Sequence, residues 1–254
     1  MSLKFSSPSK SQGTERGGSH YTKTDWAIIT PAQLQMVGPS GCGKSERILQ
    51  LVEHDGEIFD RAFGTVIYAA PEAHDRHEYL ARLAAVCLKK KKALVTAESV
   101  PSVREITGMT GGDHVLLILD DVASFANVKG LSNLATTHSH HANITTVTVL
   151  QNPYSNKDGL KVTDLNRNVT GRFIFYSLND WRLLSTMSRS VFPERPDFLT
   201  SCICDAKSQG ANYVFLNLAC FSKLNRRHIV YTNLFPTDRG KQESPLFFDL
   251  QAPK

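Results

Sequence analysis

The stretch Gly38-Pro39-Ser40-Gly41-Cys42-Gly43-Lys44-Ser45 decides the fold of this 254-residue chain, because it matches the pattern G-x-x-x-x-G-K-[ST]. Glycines at this spacing let a loop turn its backbone N–H groups toward phosphate oxygens, and the positive end of the following helix adds to the attraction. An apolar run ends directly before the motif and a helical pattern begins at its lysine. Residues 38–45 are therefore predicted to form a phosphate-binding loop between a strand and a helix.

The last two residues of the motif carry specific roles. The Lys44 ammonium is predicted to reach the β and γ phosphates of a nucleotide, and the Ser45 hydroxyl to bind the Mg²⁺ ion that these phosphates carry. Binding alone does not hydrolyse a nucleotide, because hydrolysis also needs an acid and a positioned water. The remaining carboxylates of the chain therefore decide whether the site is catalytic.

Two acidic residues follow a second apolar run at residues 115–119. In an α/β sheet, ligands collect at the carboxyl ends of the parallel strands, beside a phosphate loop. We expect Asp120 to hold the magnesium ion through water and Asp121 to orient or deprotonate the attacking water. The alternative is a turn with a helix N-cap at the end of a core strand.

A polar amide ends a third apolar run, at residues 146–150. Gln151 would contact both the γ-phosphate and the lytic water if this strand lies beside the strand that ends in Asp120. Such a side chain senses whether hydrolysis has occurred.

The distribution of apolar runs indicates an α/β fold. Runs that are apolar throughout are typical of parallel strands buried on both faces, and helical patterns lie between them. The predicted fold is α/β, built around the phosphate loop, with a mostly parallel central sheet flanked by helices and a C-terminal β extension. The predicted strands are residues 34–37, 65–69, 115–119, 146–150, 172–176, 213–218, 227–232 and 245–250, and the predicted helices are residues 46–54, 78–94 and 181–191.

The chain divides into three predicted parts. Residues 1–24 are rich in Ser, Thr and Gly and form a flexible basic arm, residues 25–200 form the ATPase core, and residues 201–254 form the β extension of the same domain. No apolar run approaches the roughly 18 to 20 residues that span a bilayer, and a signal peptide is not evident. We therefore expect an intracellular protein that is not secreted and has no membrane-spanning segment.

Composition adds two weaker expectations. The five cysteines are an odd number and lack the paired spacing of a zinc site, so we expect reduced thiols. The formal net charge of +5 favours a polyanionic partner, although many proteins with this charge bind none.

The order of the motifs resembles a known family. The segments GPSGCGKS, LLILDDV and HSHHANITTVTVLQN, followed by RFIF at residues 172–175, are similar to those of the FtsK and HerA superfamily of DNA-pumping ATPases. The His-His pair before the strand that ends in Gln-Asn, and SRSVFP at residues 188–193, resemble the genome-packaging ATPases of polinton (Maverick) elements, adintoviruses and virophage-like viruses. The resemblance extends over about residues 30–250 and implies a P-loop NTPase fold of the RecA-like, additional-strand type.

This resemblance implies a ring of five or six copies that hydrolyses ATP with Mg²⁺ and pushes double-stranded DNA through a portal vertex into a preformed capsid. It implies Lys44 and Ser45 on the phosphates and the magnesium ion, Asp120 and Asp121 as the acidic pair, and Gln151 as the sensor. It also implies a DNA-stimulated ATPase that works in the nucleus or viral factory of a host cell, and transiently at the capsid.

One feature departs from the family pattern. Its cellular members carry an arginine before the amide-tipped strand that reaches the nucleotide of a neighbouring subunit, but this chain has none between Asp121 and Gln151. The candidates for this role are Arg167 and Arg189, with Arg172 less favoured because it opens an apolar run that would bury it.

Several alternatives stay open. The protein is alternatively another P-loop nucleic-acid-dependent ATPase, or a nucleotide-dependent DNA-binding or assembly switch that barely hydrolyses. The histidines at positions 138, 140 and 141 fit a metal site or hydrogen bonds near a subunit boundary. The four lysines at residues 89–92 fit a solvated helix end or a contact with DNA phosphates.

Overall fold

The computed structural model describes residues 5–6, 23–71, 76–122, 125, 142–154, 166, 168–176, 181–219, 230–240 and 245–248. The strands in this part of the chain are β1 (Phe5–Ser6), β2 (Gln33–Val37), β3 (Thr65–Ala69), β4 (Ala93–Ala97), β5 (Val115–Leu119), β6 (Ile144–Leu150), β7 (Gly171–Phe175), β8 (Tyr213–Asn217), β9 (Val230–Thr232) and β10 (Leu246–Phe248). The helices there are α1 (Lys23–Trp26), α2 (Lys44–Glu53), α3 (Asp55–Ile58), α4 (His77–Lys89), α5 (Val103–Thr110), α6 (Trp181–Val191), α7 (Phe198–Ser208) and α8 (Pro236–Arg239).

The strands form one mixed sheet in the order β1-β10-β9-β8-β7-β2-β6-β5-β3-β4. Strands β7, β2, β6, β5, β3 and β4 pair in parallel, whereas β8, β9, β10 and β1 continue the sheet in antiparallel pairing. The predicted α/β class, with a mostly parallel centre and a C-terminal β extension, is therefore confirmed.

Burial explains why the central strands were visible in the sequence. Every residue of β2, β3, β5, β6 and β7 is buried, because apolar clusters cover both faces of the sheet. Met36 packs in the cluster on one face, and the next residue, Val37, packs in the cluster on the other. Burying each such aliphatic side chain stabilises the fold by about 1.5–3 kcal/mol.

The predicted helix over residues 78–94 is too long and was wrong at its C-terminal end. Helix α4 ends at Lys89, and residues Ala93–Ala97 form the strand β4 at the edge of the sheet, paired with β3. The chain reverses at Lys91, which has a left-handed φ of 55°. An edge strand is only partly covered, so β4 lacks the continuous apolar run that marked its neighbours.

The lysine run at residues 89–92 divides between surface and interior. Lys89 donates to Glu53 at 2.8 Å, and this hydrogen bond lowers the pKa of the Glu53 carboxyl. Lys92 is buried and pairs with Asp55 at 2.5 Å, whereas Lys90 is exposed. Lys92 therefore holds the turn between α4 and β4 and is not available to bind DNA.

The termini extend the sheet. Phe5–Ser6, within the arm predicted over residues 1–24, pairs with β10, and the rest of that arm up to residue 22 lies outside the described residues. Helix α7 crosses residue 200, where the sequence analysis placed the start of the β extension, so the antiparallel strands begin only at β8. No helix in the described part of the chain combines the length and apolar character that crossing a membrane requires.

Candidate nucleotide-binding site

Three strand ends meet at one edge of the sheet and bring the predicted site residues together. Strand β6 pairs with β2 on one side and with β5 on the other, so its C-terminal end lies between the phosphate loop and the acidic pair. A cavity of about 390 Å³ opens there. The side chains that line it include Lys44, Ser45, Arg76, Asp120, Asp121 and Gln151.

The phosphate loop needs glycine at two positions for different reasons. A Cβ atom at Gly38 would lie 2.7 Å from the Cβ and the carbonyl oxygen of Phe175, so the end of β7 leaves no room for a side chain. Gly43, which precedes helix α2, has a left-handed φ of 96° that side chains rarely allow. These two glycines position the loop against the sheet and turn the backbone into the helix.

The Lys44 ammonium lies on the loop itself. Its Nζ donates to the carbonyl oxygens of Gly38 at 2.6 Å and Pro39 at 2.7 Å, and it lies 3.6 Å from Cys42 Sγ. These contacts place a positive charge at the mouth of the phosphate loop. The lysine lines the pocket, and the hydrogen bonds of its ammonium go to residues of the loop itself.

Helix α2 is anchored to the antiparallel half of the sheet through Arg47. Its guanidinium pairs with Asp238 at 2.7 Å, donates to Asn212 at 3.0 Å, and lies 4.9 Å from the ring centroids of Tyr213 and Phe235. An ion pair combined with two cation–π contacts fixes the helix more firmly than a surface pair would. The position of the phosphate loop therefore depends on the C-terminal extension.

The two acids differ sharply in environment. Asp120 is 5% exposed, and its Oδ2 accepts hydrogen bonds from the Tyr68 hydroxyl at 2.7 Å and from Arg76. Its Oδ1 accepts from the backbone N–H of Asp121 at 3.0 Å. Asp121 is half-buried and has a left-handed φ of 54°, which is uncommon outside glycine and turns the backbone at the end of β5.

Gln151 follows β6 as predicted. It is exposed and lines the same cavity as Lys44 and the acidic pair. An amide in this place has both a donor and an acceptor to offer to a phosphate oxygen and a water molecule.

The donor set suits a magnesium ion. Ser45 supplies a hydroxyl, and Asp120 and Asp121 supply carboxylates, all around one cavity. Hard oxygen donors of this kind are what Mg²⁺ takes, usually with several retained waters and substrate phosphates. The metal would neutralise charge on the phosphates, and Ser45 and Asp120 would hold it, with Asp121 beside them at the same cavity. Among the described residues, no group of three or more His, Cys, Asp or Glu side chains is placed to hold a metal ion.

The arginines proposed to act on a neighbouring subunit differ in their positions. Arg167 lies outside the described residues, as do the histidines at positions 138, 140 and 141. Arg172 is 4% exposed and donates to Gln35 at 2.9 Å and Asn166 at 3.1 Å, so the expected burial of this residue is confirmed. Arg189 is exposed in the last turn of α6 and is not among the residues that line its own chain's cavity.

Sequence reasoning missed Arg76 and Tyr68. Both come from β3 and the chain that follows it, and β3 pairs with β5, so residues at the end of β3 lie beside Asp120. An arginine shortly after an apolar strand was a visible signal. The order of the strands in the sheet, which places this arginine beside Asp120, could not be derived from the sequence.

Four of the cysteines lie in the described part of the chain, and all four are free thiols, as expected. Burial raises the pKa of Cys87 to about 11, so this thiol is protonated at neutral pH. Cys220 lies outside the described residues.

The fold and the loop together define an α/β P-loop NTPase. No protein-family model matches the sequence, and no curated protein matches it either. Among solved structures, the chain is similar to the genome packaging NTPase B204 of Sulfolobus turreted icosahedral virus 2 in complex with ATPγS, at 12% identity and a TM-score of 0.47, over 81% of this chain and 96% of that one.

Two secretion ATPases are also similar in structure. The assembled ATPase EscN of the enteropathogenic E. coli type III secretion system is 16% identical with a TM-score of 0.37, over 64% of this chain and 45% of that one. The cytoplasmic domain of the Thermomonospora curvata type VII secretion ATPase EccC is 15% identical with a TM-score of 0.40, over 59% of this chain and 20% of that one. At such identities, the similarity concerns the fold alone.

Proposed function

We propose that the protein is an ATP-hydrolysing motor that moves double-stranded DNA into a preformed viral capsid. One observation carries the hydrolytic part of this proposal: Lys44, Asp120, Asp121 and Gln151 come from separate segments of the chain and line a single cavity. Phosphoryl transfer to water requires a lysine that binds the phosphates, a hydroxyl that binds the metal, two acids and an amide.

The roles follow from the environments. Lys44 and the loop amides bind the phosphates, and Ser45 and Asp120 hold the magnesium ion. Asp121 is more exposed at the cavity than the buried Asp120 and is the acid that orients the attacking water. Gln151, at the tip of the strand between loop and acids, reports the state of the γ-phosphate.

The DNA-packaging part of the proposal is supported by the motif series shared with the FtsK and HerA superfamily, and within it with the ATPases of polinton elements, adintoviruses and virophage-like viruses. The net charge of +5 is compatible with a polyanionic track. Such a motor forms a homo-oligomeric ring on the portal vertex. It works inside the host cell, in the nucleus or a viral factory, and at the capsid only during packaging.

Steady-state ATP turnover with and without duplex DNA tests this function. A DNA-translocating motor hydrolyses ATP with Mg²⁺ and does so faster when duplex DNA is present. A nucleotide-dependent switch binds ATP with hardly any turnover, and a small-molecule kinase is not stimulated by DNA. Native mass measurement in the presence of ATP and DNA then establishes whether a ring assembles.

The first variant to examine is Lys44→Ala. We expect its ATP turnover to fall by about 100-fold or more, because a charge that stabilises the phosphates in the transition state is lost. The fold should persist, since the ammonium contacts only loop atoms. Lys90→Ala, at an exposed lysine outside the cavity, is the matched control and should retain full turnover when both variants are assayed without DNA. Unchanged turnover in folded Lys44→Ala protein would contradict the proposed function.

A further inference from the structure

Two donor groups and one carboxylate oxygen form a compact cluster at the cavity wall. Asp120 Oδ2 accepts from the Tyr68 hydroxyl and from Arg76 Nη1, and the same Nη1 lies 3.1 Å from the Tyr68 hydroxyl oxygen. Tyr68 is fully buried, whereas the Arg76 side chain is 36% exposed. The tyrosine is therefore the fixed member of the cluster, and the arginine is the member with room to move.

At neutral pH the Tyr68 hydroxyl stays protonated and neutral, and the Arg76 guanidinium stays protonated and charged. Burial and the Asp120 carboxylate raise the pKa of Tyr68, so its hydroxyl remains a donor. Burial alone would lower the pKa of Arg76, but Asp120 and Tyr68 outweigh this and raise it overall. Arg76 therefore brings a permanent positive charge to the cavity wall.

A magnesium ion and Arg76 compete for the same carboxylate. A cation held by Asp120, directly or through water, approaches the oxygens that Arg76 now contacts, and two positive charges repel at this distance. The arginine must then find another anion. Two anions share the cavity with Arg76: the Asp121 carboxylate, whose charge already acts on it, and the phosphate chain of a bound nucleotide. The terminal phosphate carries the larger charge and offers several oxygens to the guanidinium fork.

We propose that Arg76 is a nucleotide-sensing residue that exchanges Asp120 for the terminal phosphate when a nucleoside triphosphate and Mg²⁺ bind in the same subunit. This inference rests on the proposed function, because it assumes that the cavity takes a nucleoside triphosphate. The fixed hydroxyl of Tyr68 stays on Asp120 during the exchange and keeps the carboxylate in place. Arg76 thereby couples occupancy of the phosphate site to the end of β3 and the start of α4.

Equilibrium binding of fluorescent nucleotides tests the exchange without depending on turnover. The probes are a non-hydrolysable ATP analogue and ADP, each with a fluorescent ribose label, titrated with Mg²⁺ present. For Arg76→Ala, we expect the Kd of the ATP analogue to rise by about 10- to 100-fold, the effect of a lost charge-assisted hydrogen bond, and the Kd of ADP to change by less than about twofold. Arg76→Lys should retain part of the preference for the triphosphate, because it keeps the charge but loses the planar fork.

The matched control is Arg82→Ala on helix α4, which begins directly after Arg76. Arg82 pairs with Glu46 at 2.7 Å on the surface, does not line the cavity and should leave both affinities unchanged. A second readout is the Mg²⁺ concentration that gives half-maximal binding of the ATP analogue. This Mg²⁺ concentration should fall in Arg76→Ala, because the cation that competes for Asp120 is gone. If Arg76 were merely structural, its removal would not lower the Mg²⁺ concentration.

Two outcomes would overturn the inference. If Arg76→Ala weakens the ATP analogue and ADP equally, the residue supports the loop and does not sense the terminal phosphate. If neither affinity changes while the Mg²⁺ requirement is also constant, the pairing with Asp120 is only structural. Failure of the proposed function is measured separately, by turnover: wild-type protein would then hydrolyse hardly any ATP with or without duplex DNA, or Lys44→Ala would leave turnover unchanged.

Discussion

At the scale of single residues, the adjacent acids of the site are held in different ways. Asp120 is buried and accepts three hydrogen bonds across its two oxygens, so its carboxylate has little freedom. Asp121 faces the cavity from a left-handed backbone turn and is more exposed. A rigid carboxylate suits the metal side of the site, and a more accessible one suits a water molecule.

The matched pair Asp121→Asn and Asp120→Asn tests this division. We expect Asp121→Asn to bind ATP with a Kd within about twofold of wild type and to lose about 100-fold or more in turnover, the usual contribution of a general base. Asp120→Asn should instead require much more Mg²⁺ for binding, because a charged metal-side oxygen is lost. Fluorescent nucleotide titrations at several Mg²⁺ concentrations, combined with turnover, measure both. Identical behaviour of the two variants in both assays would mean that the roles are assigned wrongly.

At the scale of elements, burial decided what the sequence predicted. The fully buried strands β3 and β5 were predicted with their observed bounds, because burial on both faces makes each strand apolar throughout. Helix α6 was also predicted with its observed bounds, because its buried residues recur at helical spacing. The edge strand β4 was missed because its partial exposure gives a mixed pattern. Arg76 was missed for another reason: its role depends on the pairing of β3 with β5, a long-range contact that no local pattern encodes.

The turn between α4 and β4 depends on a buried ion pair. The side chains of Lys92 and Asp55 are 5% and 7% exposed, and Lys92 also donates to the carbonyl oxygen of Phe63 at 2.8 Å. Asp55 in turn accepts from the backbone N–H of Phe63 at 2.7 Å. The pair thus joins the start of α3, the chain before β3 and the turn that leads to the edge strand.

We expect Lys92→Met to lower the free energy of unfolding by about 3–5 kcal/mol, because it leaves the Asp55 carboxylate buried without its cation. Lys90→Met, two residues away and exposed, should change it by no more than about 0.5 kcal/mol. Urea denaturation followed by circular dichroism measures both values. Similar small changes in the two variants would show that water reaches Asp55 and replaces the lysine.

At the scale of the whole molecule, the cavity draws all its described side chains from one half of the sheet. They lie at the ends of β2, β3, β5 and β6 or follow these strands, whereas the antiparallel strands β8 to β10 lie beyond β7. Arg47 of helix α2 links the phosphate loop to that other half through Asp238 and Asn212. The exposed Arg189 on α6 does not reach the cavity of its own chain. An action of this arginine on a nucleotide therefore requires a neighbouring copy of the chain.

Mixing two inactive variants tests this requirement. In a ring, Arg189→Ala protein keeps a working phosphate loop, and Lys44→Ala protein keeps the arginine, so a neighbour of the second kind would complete the site of the first. Arg189→Ala alone should bind ATP normally and turn over about a thousandfold more slowly, the loss seen when a trans-acting arginine is removed. Turnover should recover in part as Lys44→Ala protein is added, but not when the added protein carries both substitutions. Full activity of Arg189→Ala alone, or equal recovery with the double variant, would place the trans-acting cation elsewhere, with Arg167 next to be tested.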